Sequence, residues 1–412
     1  MRLYRAAALL TSASAEIIRD GGVLVDGQQI VAAGPAAALA AHALASSAGP
    51  AEVVDLGDLT LLPGLIDVHV HLGFDGGPAP VARMKSETDA ELLVLMLHSA
   101  RALLRAGVTT ARELGARSFL DVVVRDAITS GLADGPRLLT AARPLTPTGG
   151  HCWFMGGECD NADDLRRMVR LHHKMGADLI KVMSTGGFMT AGSAPWYAQF
   201  SEPELRAVTQ EAHRLGKRVA AHAHGTEGIA RAVAAGVDSI EHCSFAGLDG
   251  QYGAGFDPAV ADQMAEAGIY AGPTMNIRTL ERFEQFGAAR TKIISALYAH
   301  GVQIVLGTDA GINNCPHDAF GGGVEALAKS GLPVREALAA ATDRAARALG
   351  IEDRAGSLEA GKDADVIAVR GDPLTDLSAL RRVELVVARG REYIFGQLAN
   401  RLATTQRGVD AA

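Results

Sequence analysis

The chain carries two rhythms of apolar and polar positions. In residues 1–60 short apolar runs (RAAALLTS, RDGGVLVDGQQIVAAG, EVVDLGDLTLLPG) are divided by Gly-Gly, Asp-Gly and Gly-Asp turn signals, the spacing of a β-meander. The same rhythm returns in residues 355–412, where GSLEAGKDADVIAVRGDP and VELVVARGREYIFG read as strands separated by turns. The simplest arrangement pairs both ends into one small β-sandwich lobe.

Residues 61–354 follow a second rhythm, in which short β-branched runs alternate with Ala-, Leu- and Arg-rich segments of helical period. The runs are GLIDVHVHL, GVTTAREL, RLLTAARPL, DLIKVM, RVAAHAH, SIEHC, IYAGPT and IVLGTDA. Between them, NADDLRRMVRLHHKMG opens on an Asn or Asp cap, and SEPELRAVTQEAHRLG pairs Ser201 with Glu204 in a capping box and stops at Gly216. His172 and His173 fall on the first of these helices among charged residues and are assigned to solvent. Strand and helix in series predict an α/β fold built on a closed (β/α)8 TIM barrel.

Composition narrows the partners. A hydrophobic fraction of 48% sustains a large core, so disorder is not the default. The net charge of -8, with no Lys/Arg run, speaks against nucleic acid and for a small-molecule partner. The cysteines Cys152, Cys159, Cys243 and Cys315 form no C-x-x-C pair, which supports neither a disulfide framework nor a zinc knuckle. The apolar stretch Ala6 to Leu10 is too short for a secretory h-region, and no stretch reaches the ~20 apolar residues of a membrane span. The expectation is a cytoplasmic protein without a membrane partner.

In such a barrel chemistry belongs to the C-terminal ends of the strands. His69 and His71 close the first strand two residues apart, on one face, which is half a metal site; alone, H-x-H is equally an ordinary solvent-facing pair. Lys181 lies inside the apolar strand DLIKVM, where it either snorkels to water or, with a depressed pKa, reacts with carbon dioxide to give a carbamate. His222 and His242 end two further strands, and Asp309 closes the last, where a carboxylate is expensive unless paired or metal-bound. Four imidazoles, one potential carbamate and one carboxylate suit Zn²⁺ or a similar first-row ion. Two such ions would lower the pKa of a shared water toward neutrality, and Asp309 would then take its proton and pass it to a leaving amine.

These residues resemble the amidohydrolase superfamily across nearly the whole chain. The matching pieces are PGLIDVHVHL, LIKVMSTGG, VAAHAHG, SIEH, GTDAG and GSLEAGKDADVIAV, and the spacing of Lys181, His222 and His242 is similar to that in prolidase-like dipeptidases and ochratoxin-cleaving amidohydrolases. The resemblance implies two divalent metal ions: His69 and His71 on the more buried one, N6-carboxylated Lys181 as the bridge, His222 and His242 on the second, and Asp309 as ligand and proton shuttle. It also implies a dipeptide or N-acyl amino acid as substrate, cleaved at the amide by a metal-bridged hydroxide, and a homo-oligomer. His151, Tyr197, His224 and His317 fall in loops after strands and are candidates for lining the pocket. Lactones, phosphoesters and cyclic amides are alternative substrates, since fold does not fix substrate. A non-catalytic dihydropyrimidinase-like scaffold is a further alternative, but such scaffolds tend to lose the ligands retained here.

Overall fold

A computed structural model describes residues 1–45, 50–396 and 398. Five strands open the chain: β1 (Arg2–Leu9), β2 (Ile18–Asp26), β3 (Gln29–Pro35), β4 (Glu52–Asp55) and β5 (Leu59–Pro63). Seven occupy the centre: β6 (Leu65–Val70), β7 (Val108–Glu113), β8 (Arg137–Thr140), β9 (Ile180–Met183), β10 (Val219–Gly225), β11 (Ser239–Ala246) and β12 (Tyr270–Gly272). Three follow: β13 (Val366–Arg370), β14 (Val383–Ala388) and β15 (Arg391–Ile394).

The two ends of the chain do pair. An antiparallel ladder from Pro63↔Val366 to Leu59↔Arg370 joins β5 to β13 and so completes one sheet in the order β15-β14-β13-β5-β1-β2-β3, with β4 beside β1. The turn spacing predicts a sandwich; the hydrogen bonds draw a single eight-stranded sheet. The meander also contains a helix, Ala36–Ala45, absent from the sequence reading. Its Ala-rich run has no breaker and buries Ala36, Leu39 and Ala43, with Leu39 and Ala43 packed beside Leu3 and Leu24. Residues 399–412, part of the expected C-terminal segment, lie outside the described residues.

The central strands form two parallel sheets, β6-β7-β8 and β12-β11-β10-β9. Strands β6, β7, β9 and β10 are buried at every residue, which is why they read as nearly unbroken apolar runs. Single parallel bridges connect the sheets: Leu145↔Val182 between the β8 and β9 sides, Ala271↔Ile304 beyond β12, and Val70↔Ala310 back to β6. Residues 304–310, expected as the eighth strand, thus lie alongside both β12 and β6 without a regular ladder. Asp309 sits there at φ 58, which breaks the pleat. Val68 N to Leu306 O (3.1 Å) and Asp309 N to His69 O (2.8 Å) hold the segment in place.

The capping expectations match the local geometry. Ser201 and Glu204 form a reciprocal capping box, and the Asn161 side chain accepts from the Asp163 and Asp164 amides. His172 is a correction: it is buried, its ring edge-on to Phe119 at 5.5 Å, whereas His173 is exposed. Leu165, Val169 and His172 recur at helical spacing and make one inward stripe, which outweighs the charged neighbours. Among the described residues no helix is long and apolar enough to cross a membrane.

Candidate metal centre

Strand β6 delivers His69 and His71 to one face, and the 304–310 segment brings Asp309 against them. His69 Nε2 lies 3.3 Å from His71 Nε2 and 3.4 Å from Asp309 Oδ1, and His71 Nε2 lies 3.3 Å from the same oxygen. Three potential ligand atoms therefore converge on one point. The second group comes from β10 and β11: ligand atoms of His222, His224 and His242 lie within 4.8 Å of one another. The groups adjoin, for the rings of His69 and His242 are 5.3 Å apart.

The far nitrogens of these imidazoles are engaged, which aims the near ones inward. His69 Nδ1 faces Glu241 Oε2 at 3.2 Å, His242 Nδ1 faces Thr274 Oγ1 at 3.0 Å, and His224 Nδ1 faces Ser244 Oγ at 2.8 Å. His222 is turned the other way, with Nε2 2.9 Å from Gly186 O, which leaves Nδ1 for the site. A ligating histidine is held in this manner, with its other nitrogen on a carboxylate, hydroxyl or carbonyl. His242 (φ 66) and Asp309 (φ 58) both occupy the left-handed region, a backbone cost that accumulates at functional sites.

Lys181 on β9 is buried, and among the described residues its Nζ has no hydrogen-bond partner. Burial brings its pKa down to about 8, so a fraction of the amine is neutral near physiological pH. Burial likewise lowers His69 to about 4 and His224 to about 3 and keeps His222 and His242 neutral. For His71 burial works in the same direction, but its hydrogen bonds toward Asp309 and Glu113 raise it to about 9. Burial would raise Asp309; the facing His69, His71 and Lys181 instead hold it below the usual carboxylate range. The neutral imidazoles of His69, His222, His224 and His242 and the ionised carboxylate of Asp309 are donors that suit a divalent ion, whereas His71 would give up its proton as an ion bound.

The groups line a cavity of about 750 Å³, within the range of small-molecule sites. His69, His71, Lys181, His222, His242 and Asp309 all face it. Of the four pocket candidates, His151 and His224 line it, with the His151 ring 4.6 Å from that of His222. His224 stands inside the second histidine group and not at its rim. His317 is buried behind the site, its Nε2 3.1 Å from the carbonyl oxygen of His71. Tyr197, 62% exposed, lines a separate small groove with Thr148 and Gln199, and its backbone oxygen accepts from the Gly186 amide.

Four supporting side chains were missed. Glu241 accepts from Arg112 Nη2 (2.5 Å) and Ser239 Oγ (2.7 Å) while facing His69. Burial would raise its pKa, but the Arg112 guanidinium brings it to about 2. Glu113 accepts from the Leu72 and Gly115 amides behind His71, and Asp67 ties β6 to Thr308 through its hydroxyl and amide. The signal was available, since each is a charge inside an apolar run, the criterion that singles out Lys181 and Asp309.

Comparison with known proteins agrees with this geometry. Residues 60–393 match the model of the amidohydrolase family. Ochratoxinase from Aspergillus niger is 28% identical over 92% of this chain and 83% of its own. A crystal structure of a Xaa-Pro dipeptidase with bound methionine superposes with a TM-score of 0.83 at 31% identity, covering 96% of this chain and 100% of that one. The crystal structure of the A. niger ochratoxinase gives 0.79 at 26% identity, with 96% of each chain covered. With the family model spanning most of its length, the chain belongs to the amidohydrolase family and is a hydrolase acting on carbon–nitrogen bonds.

Proposed function

We propose that the protein is a binuclear metal-dependent hydrolase that cleaves the amide bond of a dipeptide or an N-acyl amino acid. The observation that carries the reading is the orphaned Nζ of Lys181, which lines the same cavity as two sets of clustered ligand atoms. His69, His71 and Asp309 would hold one ion, His222 and His242 the other, with Lys181 bridging as its carbamate. Carboxylation joins the neutral Nζ amine to the carbon of carbon dioxide and releases one proton; counted from the ammonium two protons leave, and a costly buried cation becomes an anionic ligand. Zinc suits this mixed nitrogen and oxygen donor set. Bound there, divalent ions supply Lewis acidity, which activates water and polarises a carbonyl.

The chain's own residues do the rest. Asp309, ionised at neutral pH, accepts the proton of the attacking water and delivers it to the leaving nitrogen. His151, lowered to about 4 by burial, and His224 stay neutral and donate an N–H to the substrate carbonyl or its surroundings. The parallel circuit of strands is read as a closed (β/α)8 barrel, spanning residues 61–354, that presents these strand ends at one mouth. The names of the similar proteins, Xaa-Pro dipeptidase and a prolidase complexed with N-methylphosphonate-L-proline, support a peptide-like amide.

The test is a hydrolysis screen of the zinc-supplemented protein with N-acyl amino acids, dipeptides, lactones and phosphoesters. Turnover confined to amides is expected; turnover confined to lactones or phosphoesters would overturn the reading.

A further inference from the structure

The cavity has a charged wall that the metal centre does not use. Arg278, Arg282 and Arg290 line it from the segment that follows β12, and among the described residues none of them has a carboxylate partner. The buried Arg112, Arg137 and Arg344, by contrast, are each paired with an acid. Among the described residues the only carboxylate lining the cavity is Asp309, which belongs to the first histidine group. An acidic chain thus keeps uncompensated positive charge at its site, and a charge so placed attracts an anionic ligand.

Arg290 is the best placed of the three. Its Nη1 donates to the carbonyl of Thr274 at 2.9 Å, and the hydroxyl of that same threonine backs His242 at 3.0 Å. The guanidinium also stacks on Tyr252 at 5.1 Å, and the Tyr252 ring lies 5.9 Å from that of His224. The stack fixes the plane of the fork while, among the described residues, its hydrogen bonds run through Nη1 alone, which leaves Nε and Nη2 for bidentate contact with a carboxylate. In an N-acyl amino acid or dipeptide the carboxylate is separated from the scissile nitrogen by one carbon, so a group gripped beside His242 belongs next to the reacting bond.

We infer that Arg290 is the specificity-determining anchor for a carboxylate on the amine side of the substrate. The inference rests on the amide-hydrolase reading and adds a residue and a required charge to it. The experiment compares N-acetyl-L-phenylalanine with its C-terminal carboxamide, by acetate release and by calorimetric binding, in the wild type, Arg290→Met and Arg290→Lys. In the wild type the acid is favoured by about 10- to 100-fold, mainly through KM and Kd, as for a charge-assisted hydrogen bond. Arg290→Met closes that gap, and Arg290→Lys restores part of it. Equal handling of acid and carboxamide by the wild type, or a gap that survives in Arg290→Met, overturns the anchor while the hydrolase reading stands. If neither compound is hydrolysed the hydrolase reading fails for this class, and the binding arm alone decides whether Arg290 selects the carboxylate.

Discussion

Nδ1 of His69 stands 3.2 Å from Oε2 of Glu241, and both side chains are buried. The carboxylate is itself clamped by Arg112, whose Nε donates to the backbone oxygen of Val68 at 2.6 Å. Through this chain of contacts β7 and β11 set the tautomer and ring plane of a residue on β6. A proton held on Nδ1 leaves the Nε2 lone pair pointed at Asp309 and His71.

Replacing Glu241 with Gln therefore weakens the hold on His69 without emptying the space. Metal affinity is expected to fall by about 10- to 100-fold, read by competition with a chelator. A variant that binds metal as tightly as the parent would show that Glu241 does not orient His69.

Gly307 gives a second test of the same imidazole. A Cβ there would meet the Cβ of His69 at 2.4 Å and its backbone nitrogen at 3.1 Å, so a methyl group cannot enter unless β6 or the 304–310 segment moves. Gly307→Ala is expected to cost about 1–3 kcal/mol in urea unfolding and to lower the metal content. Full stability together with full metal content would contradict this close approach.

These two positions show how far the sequence carried the picture. The candidate ligands are legible because His69, His71, Lys181, His222, His242 and Asp309 are expensive residues at the ends of apolar runs, and all of them face one cavity. Glu241 and Asp67 obey the same rule, but in the sequence each stands beside or two residues before a histidine that is the stronger metal-ligand signal. Arg278 and Arg290 follow β12 on the helices Ile277–Glu281 and Phe283–Ala299 with no strand-end signal, so only the folded chain brings them to the site. Tyr197 illustrates the opposite failure, since an aromatic residue in a loop near the site faces away from it.

His172 predicts a pH effect remote from the metal centre. Burial lowers its pKa to about 3, with the charges of Arg143 and Lys217 acting in the same direction, and neither ring nitrogen has a partner. The unfolded chain, with a histidine near 6.5, binds the proton first; stability therefore falls as pH drops from about 6.5 toward 3, by at most ~1.4 kcal/mol per pH unit from this group. His172→Leu should flatten the acid limb of Tm against pH between 6.5 and 4 relative to the parent. An unchanged limb would contradict a neutral, buried His172.

Elemental analysis of the zinc-supplemented, desalted protein tests most directly whether His69, His71, Lys181, His222, His242 and Asp309 hold a pair of ions. The expected result is close to two divalent ions per chain. A value near one would contradict the paired centre, and a value near zero would contradict metal binding at these residues altogether.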